Sequence, residues 1–294
     1  MNIDYFDYFV ELGKQIDSQN TDEFTTRYHR LIAGGKKNDA DNLRAEWSKK
    51  AGKIILSEPS KEFWEMIAKP SIDLALLPPF SWFLQFTFTL AKPYISKDDN
   101  PFYIIDNPIV RDKVFRLPMV RSTSWKGNLY SALWQLGHDK QDDDRMQRLF
   151  GEIRGEEGGQ AGRLFFYPTF FTKTSLEIIN PHDRKRRVGK NPILFESVPA
   201  GTSGTFSLLY VPFDLIGADE TEIRRQALED LQLVAEGLQA MFLTYGFSAK
   251  RSSGYGVAED KIIKGEIKTR AGSHDLRGKK LSQLTQEVGN VSFK

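Results

Sequence analysis

Cysteine is absent from the 294-residue sequence, histidine occurs only four times, and 41 Lys+Arg against 39 Asp+Glu leave a net charge of +2. Without cysteine there are no disulfides and no thiolate-bound zinc, which suits a reducing compartment. His138, His182 and His274 stand at no interpretable spacing from a nucleophile, so a hydrolase triad has no basis, and His29 reads as a surface residue with no metal-ligating neighbour. Near charge balance means that any surface for a polyanion must be local. Long hydrophobic runs are missing too. The best candidate, residues 74–91, is broken by Pro78-Pro79 and then alternates Trp82, Leu84, Phe86 and Phe88 with Gln85, Thr87 and Thr89, a strand pattern rather than a membrane span. The glycine-rich stretch 151–162 lacks the order of a phosphate loop. The opening residues carry Asp4, Asp7 and Glu11 where an export signal is basic. We expect a cytoplasmic protein with no membrane partner.

What is present is enough for a core, with 40% hydrophobic and 12% aromatic residues. Residues 1–77 have the pattern of a charged helical extension, with pieces around 24–31, 43–50 and 62–68. Its lysine pairs, Lys36-Lys37 and Lys49-Lys50, are expected at solvated helix ends. A strand is expected over 82–90. A helix follows Arg121, with Ser122, Thr123 and Ser124 as cap candidates, Leu129, Leu133 and Leu136 at helical spacing, and Gly137 at its end. A second strand covers 163–169, a long excursion runs over 170–198, and a third alternating strand lies between Gly204 and Pro212. The clearest helix opens at Asp219 with Glu222 three residues on. It carries Ile223, Ala227, Leu231, Val234, Leu238, Met241 and Tyr245, widened by Leu228, Ala235 and Phe242, and closes at Gly246. A last strand is expected over 257–267, and 271–294 as a polar surface tail with at most one short helix.

The order strand, helix, strand, excursion, strand, helix, strand is the β-α-β-β-α-β plan of an α+β, ferredoxin-like (RRM-like) core. We therefore divide the chain into an extension (1–77), a core domain with a basic thumb-like insertion (78–270) and a tail (271–294).

Three stretches concentrate groups suited to RNA. Arg121, Ser122, Thr123, Ser124 and Lys126 at a helix start form a natural phosphate seat, although an ordinary capped helix explains them as well. Lys250, Arg251, Ser252, Ser253, Gly254 and Tyr255 combine close backbone approach, positive charge and a stacking ring, or form an ordinary helix-to-strand turn. Arg184, Lys185, Arg186, Arg187 and Lys190 belong to the most basic run, either a solvated loop tip or an arm along a nucleic-acid backbone. Asp106, before Pro108, is the candidate catalytic and metal-binding residue. An ordinary aspartate, with a pKa near ~3.9, is a poor base at neutral pH but a good ligand for a divalent ion shared with phosphate oxygens. RNA brings its own nucleophile, the 2′-hydroxyl, so the protein need only position the backbone and stabilise charge. The competing reading is an Asp that caps its own turn. Asp112, beside Arg111, reads as a local ion pair or cap.

Taken in order, IIDNPIVRD, the following LP and RSTSWKG resemble the Asp-Asn/Ser-Pro and Gly-Ser-Ser-x-Lys-Gly signature of RAMP-superfamily proteins, in particular the backbone subunit of type III CRISPR effector complexes. LFG with RLFFYPT, the segment from NPHDRKRR to ESVPAGT, and LTYGFSAKRSSGYG are similar to later motifs of that family, so the resemblance covers roughly 79–267. It implies a subunit that binds guide crRNA and cleaves complementary target RNA as a metal-dependent endoribonuclease in antiviral defence. Asp106 is then the cleavage residue with a divalent metal, Mg2+ by class. The partners implied are guide and target RNA, further RAMP proteins and a large polymerase/cyclase-like subunit. The alternative is a non-catalytic RNA-binding or capping subunit of such a complex. The sequence departs from the family at Arg121, where glycine is expected, and at Tyr94-Ile95-Ser96-Lys97, where the family carries His-Ile-Gly-Gly.

Overall fold

A computed structural model describes residues 21–51, 70–98, 102–139, 143–151, 159, 161–179 and 193–293. Its centre is β1 (Trp82–Thr89), where period-two alternation sends Trp82, Leu84, Phe86 and Phe88 into the core with none of their surface exposed. Gln85 and Thr87 point the other way and bond across the sheet, Gln85 Nε2 to Ser207 Oγ at 2.9 Å and Thr87 Oγ1 with Thr205 Oγ1 at 3.0 Å. Phe83 lies on that same side but is buried against Leu74, Leu209 and Val211.

β1 pairs antiparallel with β8 (Ser203–Tyr210) and β9 (Lys264–Thr269) in a five-stranded sheet, completed by β4 (Leu164–Phe166) beside β8 and β10 (Gly272–Asp275) beside β9. Helices α3 (Ser122–Gln135) and α5 (Glu220–Ala240) pack together on the core face. The side chain of Asp219 caps α5 by accepting from the N–H groups of Thr221 and Glu222, and the helix continues as a π-turn, Met241–Tyr245, that ends at Gly246 (φ 74°). Ile223, Ala227, Leu231, Val234 and Leu238 are buried as the spacing predicts, whereas Leu228 is exposed at the edge of the stripe.

Several expectations are corrected. The second strand is split, β4 ending before Tyr167-Pro168 and β5 (Thr169–Phe170) leaving the main sheet to pair with β3 (Met119–Val120), because proline cannot donate to a ladder. The last strand starts at Lys264 rather than at 257; only Ala258 makes an earlier bridge, to Leu90. Residues 271–293 are no surface tail: beside the one short helix expected, α6 (Leu284–Val288), they form β10 on the sheet edge, and Leu276, Leu281 and Leu284 are fully buried in the main core. Helix α4 (Asp144–Phe150) was not expected. The excursion is not irregular throughout, since β6 (Ser175–Ile179) and β7 (Ile193–Val198) form a ribbon whose β7 edge pairs with β2 (Tyr94–Ile95). The basic run 182–190, with Arg184, Lys185, Arg186, Arg187 and Lys190, lies outside the described residues, as do 62–68 and most of 151–162.

Two charged or aromatic groups organise the rest. Asp230, wholly buried on α5, accepts from Tyr210 OH (2.9 Å), Arg163 Nη1 (3.2 Å) and Arg148 Nε (2.8 Å), and Arg163 also binds Asp214. Helices α1 (Thr21–Ala33) and α2 (Lys37–Ala51) form a hairpin with its own cluster, Phe24, Tyr28, Ala40, Leu43 and Trp47, which closes over Ile104 and Ile105. Leu176 of β6 and Leu194 of β7 pack against the same cluster. Among the described residues, no helix is long and apolar enough to cross a membrane.

Candidate nucleic-acid interface

Asp106 lies on the loop between β2 and β3, and its neighbours in sequence alternate sharply in environment. Ile104, Ile105, Pro108, Ile109 and Val110 are buried, while Asp106 is exposed. Among the described residues the Asp106 carboxylate forms no hydrogen bond or ion pair, so it does not cap its own turn. The turn is held by others. Asn107 donates from Nδ2 to the Leu194 carbonyl (3.3 Å), and its own carbonyl accepts from the Glu196 N–H (3.0 Å).

Glu196 is the chief clamp. Its side chain, 5% exposed, accepts from Arg111 Nη1 (2.6 Å) and Nη2 (2.7 Å), from Tyr103 OH (2.6 Å) and from the Ile109 N–H (3.0 Å). Burial alone would lower the Arg111 guanidinium, but the hydrogen bonds and charge of Glu196 outweigh it and hold the group firmly protonated. Burial and the adjacent Glu196 charge push the Tyr103 phenol up, keeping it a donor. Arg111 thus pairs with Glu196 and not with Asp112, which instead caps the next turn by accepting from the N–H groups of Val114 (2.9 Å) and Phe115 (2.8 Å).

From behind, the helical hairpin supports the same loop. Trp47 sets its edge on Tyr103 (6.4 Å, 86°), and Arg116 reaches Asp22 at 3.3 Å. His29 is no isolated surface residue: it stacks on Phe102 at 4.5 Å, and its Nε2 lies 3.0 Å from the Tyr103 carbonyl.

Arg121 occupies the N-cap position of α3 with no side-chain cap bond, so Ser122, Thr123 and Ser124 fall inside the first turn rather than capping it. Arg121 has φ −66° and ψ 150°, an ordinary extended conformation that does not require glycine. Its guanidinium pairs with Asp98 at 3.2 Å, and the Asp98 N–H donates to the Pro108 carbonyl at 2.9 Å, which joins the helix start to the Asp106 corner. Arg121, Thr123 and Lys126 are exposed. The first turn of α3 therefore presents N–H groups, hydroxyls and cations toward solvent.

The glycine-serine loop is knitted to both neighbours. Asn128 of α3 donates to the Phe247 carbonyl at 3.3 Å, and Arg251 Nη1 lies 3.3 Å from Ser131 Oγ. Ser248 Oγ accepts from the Ile95 N–H and donates to the Ile95 carbonyl, both at 2.8 Å. Gly256 (φ 69°) is required here, because an added Cβ would stand 2.3 Å from Ser248 Cβ. Lys250, left-handed at φ 58°, sets its ammonium 5.1 Å from the Phe195 ring centre, and the Glu177 charge adds to burial in raising the Tyr255 phenol. Ser252, Ser253 and Gly254 remain exposed.

The β2–β7–β6 ribbon thus brings together the Asp106 corner and the 250–256 loop, and Asp98 adds the helix start. Sequence reasoning assigned no role to Glu196. The signal present was a carboxylate amid LFESV, at a strand position whose neighbours two residues either way, Leu194 and Val198, are apolar. The described residues contain no group of three or more His, Asp or Glu able to hold a metal. At the corner itself they offer the unpaired carboxylate of Asp106, which fits an ion carried largely by RNA phosphates and water rather than by a protein cage.

Comparison with curated proteins finds 32% identity over 212 residues, 64% of this chain and 86% of its relative, to the CRISPR system Cms endoribonuclease Csm3 of Mycobacterium tuberculosis. The Csm3 endoribonuclease of Streptococcus thermophilus is 28% identical over 204 residues, 63% of this chain and 86% of that protein. Among solved structures, a chain of the type III-B Cmr-beta complex bound to cognate target RNA, seen by cryo-EM, superposes with a TM-score of 0.54. That alignment covers 90% of this chain and 88% of the other, and its 14% identity shows a shared fold. A scan against family models matches residues 23–259 to the RAMP superfamily. Motifs, fold and relatives agree, and the chain belongs to the RAMP superfamily.

Proposed function

We propose that this RAMP protein is a backbone subunit of a type III CRISPR effector complex, working in the cytoplasm, that binds guide crRNA and cleaves the complementary target RNA at Asp106. The observation that carries this reading is the exposed, unpaired Asp106 carboxylate at the centre of a corner whose other residues are buried or clamped. A structural aspartate would spend its oxygens on the turn; this one is left to the outside. The strand order β9-β1-β8-β4, with α3 between β1 and β4 and α5 between β8 and β9, supports a ferredoxin-like core.

Guide backbone would run across the first turn of α3 and the exposed rim of the 250–256 loop. There Arg121, Ser122, Thr123, Ser124 and Lys126 would face phosphate together with Arg251, Ser252, Ser253, Gly254 and Tyr255, while Lys250 packs on Phe195. Arg184, Lys185, Arg186, Arg187 and Lys190 would extend the basic surface along the RNA. Other RAMP subunits and a large polymerase/cyclase-like subunit complete the set of protein partners.

For cleavage, Asp106 would hold a divalent ion, Mg2+ by ligand class, which when bound offsets the charge that builds on the scissile phosphate. The chain's own part is positional. The corner would hold the carboxylate at a fixed place on the surface, and the first turn of α3 and the 250–256 loop would fix the RNA backbone relative to it, so that the 2′-hydroxyl can attack the adjacent phosphorus, giving up its proton to solvent as the bond from phosphorus to the departing 5′-oxygen breaks. The second reading is a non-catalytic subunit in which the clamped corner serves packing alone, its buried residues and the Glu196 bonds holding the loop whether or not Asp106 acts. Target cleavage by the reconstituted complex carrying Asp106→Ala separates the two: loss of the cut at this subunit supports catalysis, and an unchanged cut supports the structural role.

A further inference from the structure

Four hydrogen bonds converge on one buried carboxylate. Glu196 accepts from Tyr103 on one side of Asp106 and from Ile109 and Arg111 on the other, while its own N–H donates to the carbonyl of Asn107, the residue next to Asp106. All of these partners lie within residues 103–111. Both Glu196 oxygens are occupied, and the side chain is 5% exposed, so it is closed to RNA and to solvent ions. The corner has almost no regular structure of its own, since residues 102–110 contain neither helix nor strand. Its shape therefore depends on what is bonded to it from outside, and β7 provides most of that through Glu196 and Leu194.

We propose that Glu196 is the positioning residue for Asp106: it sets the place of the cleavage carboxylate without touching the RNA. The inference rests on the reading of Asp106 as the cleavage residue. Charge and geometry both matter to it. The planar guanidinium of Arg111 meets the carboxylate as a two-pronged fork, which fixes direction as well as distance, and the phenol and the amide fill the remaining acceptor positions. An amide in place of the carboxylate keeps the volume, but it cannot accept at both ends and leaves Arg111 facing an N–H pair. The corner would then shift, and a displacement of about 1 Å at a reacting group costs about a hundredfold in rate.

The test uses the full effector complex reconstituted with guide RNA, with Asp106→Ala, Glu196→Gln and Tyr103→Phe assayed beside wild type. Single-turnover cleavage at this subunit's position, target affinity and melting temperature are measured for each. For Glu196→Gln the expected result is cleavage slowed about a hundredfold at target affinity within about twofold of wild type. Tyr103→Phe keeps the ion pair and removes one hydrogen bond, so it should fold, bind normally and slow cleavage about tenfold. If Glu196→Gln fails to assemble, Tyr103→Phe decides, and wild-type cutting by it overturns the proposal. Loss of affinity in proportion to loss of cleavage also overturns it, because a structural role moves both together. An inactive Asp106→Ala with a fully active Glu196→Gln refutes the positioning role alone, whereas a fully active Asp106→Ala removes the reading on which it stands.

Discussion

Removing Trp47 should loosen the Asp106 loop while leaving the main core intact. Trp47 is 2% exposed and lies in a cluster with Phe24, Tyr28, Ala40, Leu43, Ile104 and Ile105, apart from the larger core around the five-stranded sheet. Burial of a tryptophan and the cavity left by Trp→Ala together are worth about 3–5 kcal/mol, and its edge contact with Tyr103 adds about 0.5–1.5 kcal/mol to the interaction. Each ~1.4 kcal/mol is a tenfold change in an equilibrium, so opening of the hairpin and the loop beneath it should become more than about a hundredfold more frequent in Trp47→Ala. Hydrogen exchange followed by mass spectrometry reads this directly. Protection should fall over residues 21–51 and 102–106, while β1 and β8, whose side chains pack in the other cluster, keep theirs. Unchanged protection at Ile104 and Ile105 would refute the buttress. Uniform loss across β1 and β8 would show instead that the two clusters unfold as one.

Two further outcomes test the electrostatics. Asp230→Asn leaves two guanidinium groups facing an uncharged buried partner and should cost about 3–5 kcal/mol in urea unfolding, far more than an exposed carboxylate would. Asp143 caps α4, and the Arg145 guanidinium beside it, helped by His138, holds its carboxyl down at about 2. A carboxyl depressed in the folded state stabilises above its unfolded pKa, near ~3.9, and that contribution is lost as pH falls toward the folded value. Thermal stability followed from pH 5 to pH 2 should therefore drop through this window in wild type, and the drop should be shallower in Asp143→Asn.

Much of this fold was legible because its period is carried by large apolar residues. The alternation over 82–89 and the three- and four-residue steps from Ile223 to Leu238 each admit one solution, and the cap at Asp219 and stop at Gly246 mark the ends of α5. Where the pattern is carried by polar or mixed residues, it failed. β6 and β7 have faces that are partly buried by the helical hairpin, so neither shows clean alternation. The C-terminal stretch packs Leu276, Leu281, Leu284 and Val288 at spacings that fit neither one helix nor one strand, because Leu276 follows the end of β10, Leu281 opens a 3-10 turn, and Leu284 and Val288 belong to a short helix. In the candidate site the local motifs around Asp106 and Arg121 could be read. The long-range partners could not: Glu196 lies far from Arg111 in sequence, and no pattern along one chain says which buried charges meet. Asp230 is the exception that the sequence does signal, a carboxylate inside the apolar stripe of α5, which demands a buried cation as partner.

The most direct measurement compares wild type and Asp106→Ala in the reconstituted complex, with end-labelled target RNA, Mg2+ present or chelated, and affinity measured on the same samples. The exposed Asp106 carboxylate takes no part in packing or in the described hydrogen bonds, so its removal should leave assembly and target affinity unchanged. The cut assigned to this subunit should disappear in Asp106→Ala, and in wild type under chelation. Persistence of that cut at the wild-type rate without the Asp106 carboxylate would contradict the account.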